Sequence, residues 1–100
     1  MSASAFDHSQ LDEVIHSRLR LAVMAVLSAV DQADFTDLRD KVGATDGNLS
    51  THLRKLEEAG YVQLHKHFVN RRPRTDCSLT EAGRAAFRDY VERLGALLGS

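Results

Sequence analysis

The chain has 100 residues, of which 43% are hydrophobic and 27% are charged, so residues 1–100 are expected to form a single globular domain around one core. A lone cysteine, Cys77, excludes an internal disulfide framework, and the net charge of −1 by itself argues against a nucleic-acid partner. The longest apolar run, residues 21–30, is too short to cross a membrane, and residues 1–10 lack the features of a signal peptide, so we expect a cytoplasmic protein without a membrane partner.

The N-terminal third has the spacing of one long helix. Ser9, with Asp12 three residues later, has the pattern of a helix N-cap and its capping partner. Apolar residues then recur at helical intervals over residues 11–30, which is enough for about five turns. The spacing slips near residues 16–17, where we expect a bend or a break. The polar residues 31–34 predict a turn after this helix.

Two short helices joined by a tight turn are predicted next. Thr36 is the expected N-cap of the first helix, and Gly43 is expected to end it. The second helix is expected to begin after a cap at Thr45 or Asp46. Two short helices separated by a glycine-containing turn have the layout of a helix-turn-helix, here about residues 36–59.

A basic β-hairpin is predicted directly after this pair of helices. Residues 61–79 follow a period of two, and residues 70–74 are expected to form the loop because Pro73 cannot donate a hydrogen bond to a sheet ladder. We call residues 61–79 the wing. Residues 50–74 hold six Lys or Arg and two Glu, a local net charge of +4, whereas the rest of the chain has a net charge of −5. A basic stripe of this kind favours a polyanionic partner despite the overall charge.

Neither a metal site nor a catalytic site is expected. Cys77 shares the core-facing side of the hairpin with Leu64, whereas His65 and His67 point the other way, so the sulfur and the two imidazoles cannot converge. Cys77 is therefore expected to be a small buried hydrophobic residue. The sequence contains no glycine-rich phosphate loop, no metal-ligand spacing and no nucleophile–base set, so we expect no enzyme and no cofactor.

The last helix, which Thr80 is expected to cap, carries a longer apolar stripe than one small domain can cover. We expect segments at about residues 6–16 and 81–98 to form a dimer interface. The residues assigned to this interface are Leu11, Val14, Phe87, Tyr90, Val91, Leu94, Leu97 and Leu98.

Several segments together resemble small winged-helix transcriptional regulators of the MarR and ArsR kind. GNLSTHLRKLEEAGYV resembles their recognition-helix segment, FVNRRPRT followed by LTEAGRAAF resembles their wing and last helix, and IHSRLRLAVMAVL resembles their first helix. The resemblance covers about residues 11–98. It implies a winged helix-turn-helix, mainly α-helical with a small β-hairpin and an additional C-terminal dimerisation helix. It also implies a homodimer that binds operator DNA, commonly as a repressor.

The second helix of the helix-turn-helix is the expected DNA reader. Leu49, Leu53 and Leu56 form its inward stripe, and the rest of its surface carries small, amide-bearing or cationic side chains suited to a major groove. The cations of the wing suit the DNA backbone or the minor groove. The residues assigned to DNA contact are Gly47, Asn48, Ser50, Thr51, Arg54 and Lys55 on this helix, and Lys66, Arg71, Arg72 and Arg74 on the wing.

Two other functions fit part of the sequence. A winged helix can dock a protein with the same hairpin and helix, which would make this chain a protein–protein interaction module. A ligand- or metal-responsive sensor is the third hypothesis. Against a metal sensor, residues 36–42 contain no cysteine and residues 81–98 contain no histidine, although the ArsR resemblance implies metal ligands in these helices. The sequence identifies no small-molecule effector.

Overall fold

The computed structural model describes residues 11–99, which form four helices and a three-stranded antiparallel sheet. The helices are α1 (Arg18–Ser28), α2 (Phe35–Val42), α3 (Asp46–Glu58) and α4 (Glu81–Leu97). The strands are β1 (Ala33–Asp34), β2 (Val62–Val69) and β3 (Arg72–Leu79), in the sheet order β1-β3-β2. The predicted fold class, mainly α-helical with a small β-hairpin, is confirmed. The expected cap at Ser9 and the dimer segment before residue 11 lie outside the described residues.

None of the helices in residues 11–99 has both the length and the apolar character that a membrane span requires.

The first helix is shorter than the sequence predicted. α1 begins at Arg18, beside the predicted break at residues 16–17, and does not extend over residues 11–30. The reason is Asp12, whose carboxylate accepts a hydrogen bond from the backbone N–H of Val14 at 2.8 Å. This local bond holds the segment in a turn that competes with the helix.

The N-cap of α2 is Asp34, so the expected cap at Thr36 is wrong, and Thr36 lies inside the helix. The sheet determines where this helix begins. Ala33 and Asp34 form β1 and pair with Cys77 and Asp76 of β3. The polar stretch that was expected to be a turn therefore ends in a two-residue strand.

A tight turn joins α2 to α3 and completes a helix-turn-helix. Gly43 ends α2 with φ 68°, a left-handed conformation that glycine adopts without steric cost. The hydroxyl of Thr45 accepts a hydrogen bond from the backbone N–H of Asn48 at 3.2 Å, so Thr45 caps α3. Arg39 of α2 donates to the carboxylate of Asp46 at 2.8 Å, which ties the start of α3 to the preceding helix.

β2 and β3 form a hairpin with a two-residue turn at Asn70 and Arg71, whose φ angles of 51° and 69° suit a type I′ turn. The loop predicted over residues 70–74 is therefore wrong, because β3 already includes Pro73. Residues that flank such a turn exchange hydrogen bonds, and the next pair does not. Pro73, which is opposite Phe68, lies in that next pair, where the β2–β3 ladder needs no N–H donor.

The core lies between the helices and one face of the sheet. Its buried apolar residues are Leu11, Ile15, Val23, Met24, Leu27, Leu38, Leu49, Leu53, Leu56, Val62, Cys77, Leu79 and Tyr90. Cys77 is buried as predicted, and burial raises the pKa of its thiol to about 11.

The predicted cap of α4 is confirmed, since the Thr80 hydroxyl accepts a hydrogen bond from the N–H of Gly83 at 2.9 Å.

Candidate nucleic-acid interface

α3 has one buried face and one exposed face. The three leucines of its stripe are 0–1% exposed and belong to the core. The residues of this helix that were assigned to DNA contact are all exposed: Gly47, Asn48, Ser50, Thr51, Arg54 and Lys55. Within residues 11–99, neither Arg54 nor Lys55 takes part in an ion pair. Both positive charges therefore face solvent and are available to an external anion.

A polar contact that the sequence did not predict supports α3 from α1. Nη1 of Arg20 donates to Nδ1 of His52 at 3.0 Å, and Nε of Arg20 donates to the carbonyl oxygen of Val14. Burial, followed by the nearby charges of Arg20 and Lys55, lowers the pKa of His52. A neutral imidazole is the form that accepts this hydrogen bond, so His52 helps to hold α3 in position.

The wing extends beyond the sheet as a two-stranded ribbon. β1 pairs with β3 only at Asp76 and Cys77, so the strand residues nearer the turn have one neighbouring strand each. The wing residues that were assigned to DNA contact are all exposed: Lys66, Arg71, Arg72 and Arg74. Of these four, only Arg74 has an ion-pair partner in the part of the chain that is described.

Arg74 is partly occupied by its own chain. Its Nε donates to one carboxylate oxygen of Asp76 at 3.4 Å, and Nε2 of His67 donates to the other oxygen at 2.8 Å. The hydrogen bond from His67, with a smaller contribution from Arg74, lowers the pKa of Asp76, which is only 8% exposed. Arg74 therefore has less freedom to reach a phosphate than the other three wing cations.

The histidines and the cysteine of the wing are separated as predicted. Cys77 pairs with Leu64 on the core side of the hairpin and is fully buried. His65 and His67 lie on the other side, where their rings stack with centroids 4.9 Å apart. Among residues 11–99, no cluster of three or more His, Cys, Asp or Glu side chains is arranged to hold a metal ion.

α3 and the wing meet around one cleft of about 380 Å³. Ser50 and Arg54 line it from α3, and Lys66 and Thr75 line it from the wing. Residues that were assigned to DNA contact on α3 and on the wing thus border the same surface. Two further residues, which the sequence did not predict, also line the cleft: Thr75 and Glu57, and Glu57 places a negative charge there. Thr75 pairs with Lys66, and recognising the two-residue turn would have revealed this register.

The residues assigned to a dimer interface differ in how far the chain itself covers them. Leu11 and Tyr90 are each 3% exposed and belong to the core, where the Tyr90 hydroxyl lies 2.8 Å from Nδ1 of His16. They have little surface for a partner chain, because the N-terminal segment already packs on α4. The partly buried residues are Val14, Phe87, Leu94 and Leu97. Val91 and Leu98 are 51% and 67% exposed, so only these two keep a large apolar surface in solvent.

Comparison with known sequences agrees with this geometry. The family model described as a winged helix DNA-binding domain matches residues 19–98. An uncharacterized protein of Methanocaldococcus jannaschii is 37% identical to this chain over 79 residues, which are 79% of this chain and 86% of that protein.

Solved structures show the same fold. A transcriptional regulator homologue from Pyrococcus horikoshii OT3 superposes with a TM-score of 0.83 and 28% identity, over 88% of this chain and 87% of that one. A MarR family regulator from Silicibacter pomeroyi has the same fold at a TM-score of 0.69 and 23% identity, over 91% of this chain and 60% of that one. The resemblance to MarR-like winged helices is therefore confirmed. The chain belongs to the winged helix DNA-binding domain family, whose members are transcriptional regulators and not enzymes.

Proposed function

We propose that this protein is a cytoplasmic, sequence-specific regulator of transcription that binds double-stranded DNA as a homodimer and acts as a repressor. The observation that supports this most directly is the shared cleft, because the exposed polar face of α3 and the cations of the wing border one surface. A helix and a hairpin in this arrangement offer a major-groove contact and a backbone contact to the same duplex.

α3 supplies the contacts that distinguish one DNA sequence from another. Its exposed side chains lie opposite the buried leucine stripe, so they face outward when the helix enters a major groove. Small residues in the first turn allow the backbone to approach the bases closely. We assign base contacts to Ser50, Thr51 and Arg54, close approach to Gly47 and Asn48, and a phosphate contact to Lys55.

The wing supplies affinity that depends little on sequence. Arg71 and Arg72 are exposed at the tip, and Lys66 points into the cleft from the ribbon. Phosphate contacts of this kind release counterions, so the affinity should fall steeply as salt rises. Arg74 makes a weaker contribution because Asp76 already accepts its Nε hydrogen bond.

A homodimer is the form that we expect to bind DNA tightly. A single winged-helix domain buries a modest interface, and a net charge of −1 gives little general attraction to DNA. A two-fold axis places two copies of α3 in successive major-groove faces about 34–36 Å apart, so the operator is expected to be an inverted repeat. The exposed Val91 and Leu98 offer a surface for pairing. A dimer bound at a promoter acts as a repressor by blocking polymerase.

Selection of genomic DNA fragments with the purified protein tests this function. We expect the selected fragments to share one motif with two-fold symmetry, because two copies of α3 read two half-sites. Recovery of fragments without any common motif would contradict sequence-specific binding. Fluorescence anisotropy on the selected duplex and on a scrambled one then gives the specificity ratio.

The variants Thr51→Ala and Arg54→Ala test whether α3 is the reader. Each lost base contact should weaken operator binding by about 1–3 kcal/mol and leave binding to the scrambled duplex nearly unchanged. Arg93→Ala is the matched control, because Arg93 is an exposed arginine on α4 whose Nε already donates to Asp89 at 2.8 Å. If both α3 variants kept the wild-type ratio of the two affinities, α3 would not be the element that reads the sequence.

A further inference from the structure

The wing carries an apolar pair close to its tip. Phe68 is 73% exposed and lies directly opposite Pro73, which is also exposed. The two-residue turn at Asn70 and Arg71 fixes this pairing, so both side chains have a defined place on the ribbon. Phe68 contributes nothing to the core, and with Pro73 it forms a small exposed apolar patch at the end of the projecting hairpin.

This pair lies on the side of the wing that faces α3. Side chains alternate along a strand, so Phe68 shares its face with Lys66, and Pro73 shares its face with Thr75. Lys66 and Thr75 line the cleft between the wing and α3. Phe68 and Pro73 therefore continue the lining of this cleft toward the tip of the ribbon.

The charges around the pair identify its partner as a polyanion. Residues 59–75 contain no Asp or Glu, and Arg71 and Arg72 follow Phe68 at the tip. The negative potential of a DNA minor groove attracts arginine side chains, and apolar wedges next to such cations pack against sugars or enter between base steps. A single exposed ring flanked by arginines matches this chemistry better than it matches a purely apolar protein surface.

We propose that Phe68, backed by Pro73, is an apolar wedge that enters the minor groove beside each half-site and bends the duplex there. This inference rests on the proposed DNA-binding function. A wedge needs a base step that opens easily. The flanks of the operator should therefore carry flexible pyrimidine–purine steps, such as TA or CA, where the wing contacts the DNA. Sequence preference would then extend beyond the bases that α3 contacts.

The test compares Phe68→Ala with Val69→Ala in the full chain. Val69 is the adjacent apolar residue, is 40% exposed, and lies on the opposite face of the ribbon. The probe is the selected operator duplex with a fluorescent dye at each end, so that energy transfer reports bending. Affinity is measured on the same duplex by anisotropy over a range of salt concentrations.

We expect Phe68→Ala to abolish the change in energy transfer and to weaken binding about tenfold to a hundredfold. This is the loss expected when the complex no longer buries one phenylalanine ring. The slope of affinity against salt should not change, because no phosphate contact is lost. Phe68→Leu should keep part of the bend, and Val69→Ala should behave as wild type. Circular dichroism melting should give the wild-type fold for all variants, because both positions are exposed in the folded chain.

Three outcomes would overturn the inference. Equal bending by wild type and Phe68→Ala would show that Phe68 is not a wedge, and it would leave the proposed DNA-binding function intact. A wild-type protein that binds no duplex, selected or random, would overturn both. A Phe68→Ala variant that bends DNA normally but sediments at a different mass would assign the ring to a contact between protein chains.

Discussion

One glycine determines how closely α4 approaches the wing. A Cβ atom at Gly83 would lie 2.0 Å from the carbonyl oxygen of Tyr61 and 2.9 Å from its carbonyl carbon. The same oxygen accepts a hydrogen bond from the N–H of Thr80 at 3.0 Å, so it cannot move away without breaking that bond. Only a residue without a side chain fits at this point.

Gly83→Ala is therefore expected to lower the free energy of unfolding by about 1–3 kcal/mol, as overpacking against a fixed backbone does. Gly95 is the matched control in the same helix, since a Cβ there meets no atom within 4 Å. Gly95→Ala should raise the free energy of unfolding by about 0.5–1 kcal/mol, because alanine is the better helix former. Urea unfolding followed by circular dichroism measures both changes. Effects of the same sign would contradict the close approach at Gly83.

Asp76 makes the stability of the wing depend on pH. Its pKa lies below the ordinary value of 3.8, because His67 and then Arg74 donate hydrogen bonds to the carboxylate. A carboxylate with a lowered folded-state pKa stabilises the fold above the unfolded value, and this contribution is lost as the pH falls through the folded value. Asp76→Asn should therefore flatten the acid side of the stability curve below about pH 4. Urea unfolding at a series of pH values measures the free energy of unfolding of the wild type and of the variant. Parallel curves of this free energy against pH would contradict the role of Asp76.

Among the secondary-structure elements, those with a strong local pattern could be predicted from the sequence. α3 has a regular leucine stripe, and Thr45, one of the two residues expected to cap it, accepts a hydrogen bond from the N–H of Asn48. The predicted cap of α4 at Thr80 likewise makes its bond to Gly83. These features depend on residues three or four apart, so the sequence alone contains the information.

Elements that depend on competition or on distant contacts could not be predicted. Helical spacing suggested a helix from residue 11 with a bend or break at residues 16–17, but the hydrogen bond from Val14 to Asp12 favours a turn before that break. Pro73 suggested a loop, but the register of the hairpin places it where no donor is needed. The strand β1 has two residues and exists because β3 lies beside it, which no local pattern records.

In the candidate site, too, the features that depend on local sequence could be predicted, and those that depend on packing could not. The exposed polar face of α3 follows from its helical period, and the cations of the wing follow from composition. The cleft that joins them depends on how the hairpin packs, so Thr75 and Glu57 were found only in the structure. The burial of Tyr90 likewise depends on the N-terminal segment, which packs on α4 through His16.

The turn of the wing combines a positive charge with a backbone conformation that suits glycine. Arg71 has φ 69°, which costs a non-glycine residue about 1–2 kcal/mol. Arg71→Gly removes both the charge and the strain, whereas Arg71→Ala removes only the charge. An Asn-Gly pair is also the preferred sequence of a type I′ turn. The two variants therefore separate what the guanidinium does from what the backbone does.

Both variants should reduce the slope of log affinity against log salt by about one unit if Arg71 contacts one phosphate. Only Arg71→Gly should raise the free energy of unfolding, by roughly 0.5–1 kcal/mol, because it alone relieves the turn. Anisotropy titrations across a salt series and urea unfolding measure these two quantities. An unchanged salt slope in both variants would remove Arg71 from the DNA interface.

For the whole molecule, the distribution of charge matters more than its sum. Residues 50–74 carry a net charge of +4, and the rest of the chain carries −5. A single chain is therefore attracted to DNA only when the wing and α3 face it, and repelled in other orientations. In the proposed homodimer, two such basic surfaces face one duplex, which raises affinity although the net charge of the pair stays negative.

The proposed pairing surface can be tested at Val91 and Leu98, the two residues assigned to it that are mostly exposed. Val91→Glu combined with Leu98→Glu places like charges on both sides of a two-fold interface, so the dimer should dissociate. Both positions are mostly exposed in the single chain, so the variant should keep its fold, whereas Leu94 is partly buried against the core and is a poor position for a charge. Ala82→Glu with Ala85→Glu adds the same charge to α4 at two other exposed positions and serves as the control.

We expect the Val91/Leu98 variant to be a folded monomer that binds the operator weakly, and the control to remain a dimer that binds it tightly. Sedimentation velocity measures the mass, circular dichroism the fold, and anisotropy the affinity. The loss of affinity should be larger on the inverted repeat than on a duplex with a single half-site, because only the repeat engages both copies of α3. A wild-type protein that sediments as a monomer and still binds an asymmetric site tightly would show that pairing through this surface is not what makes the chain a DNA-binding protein.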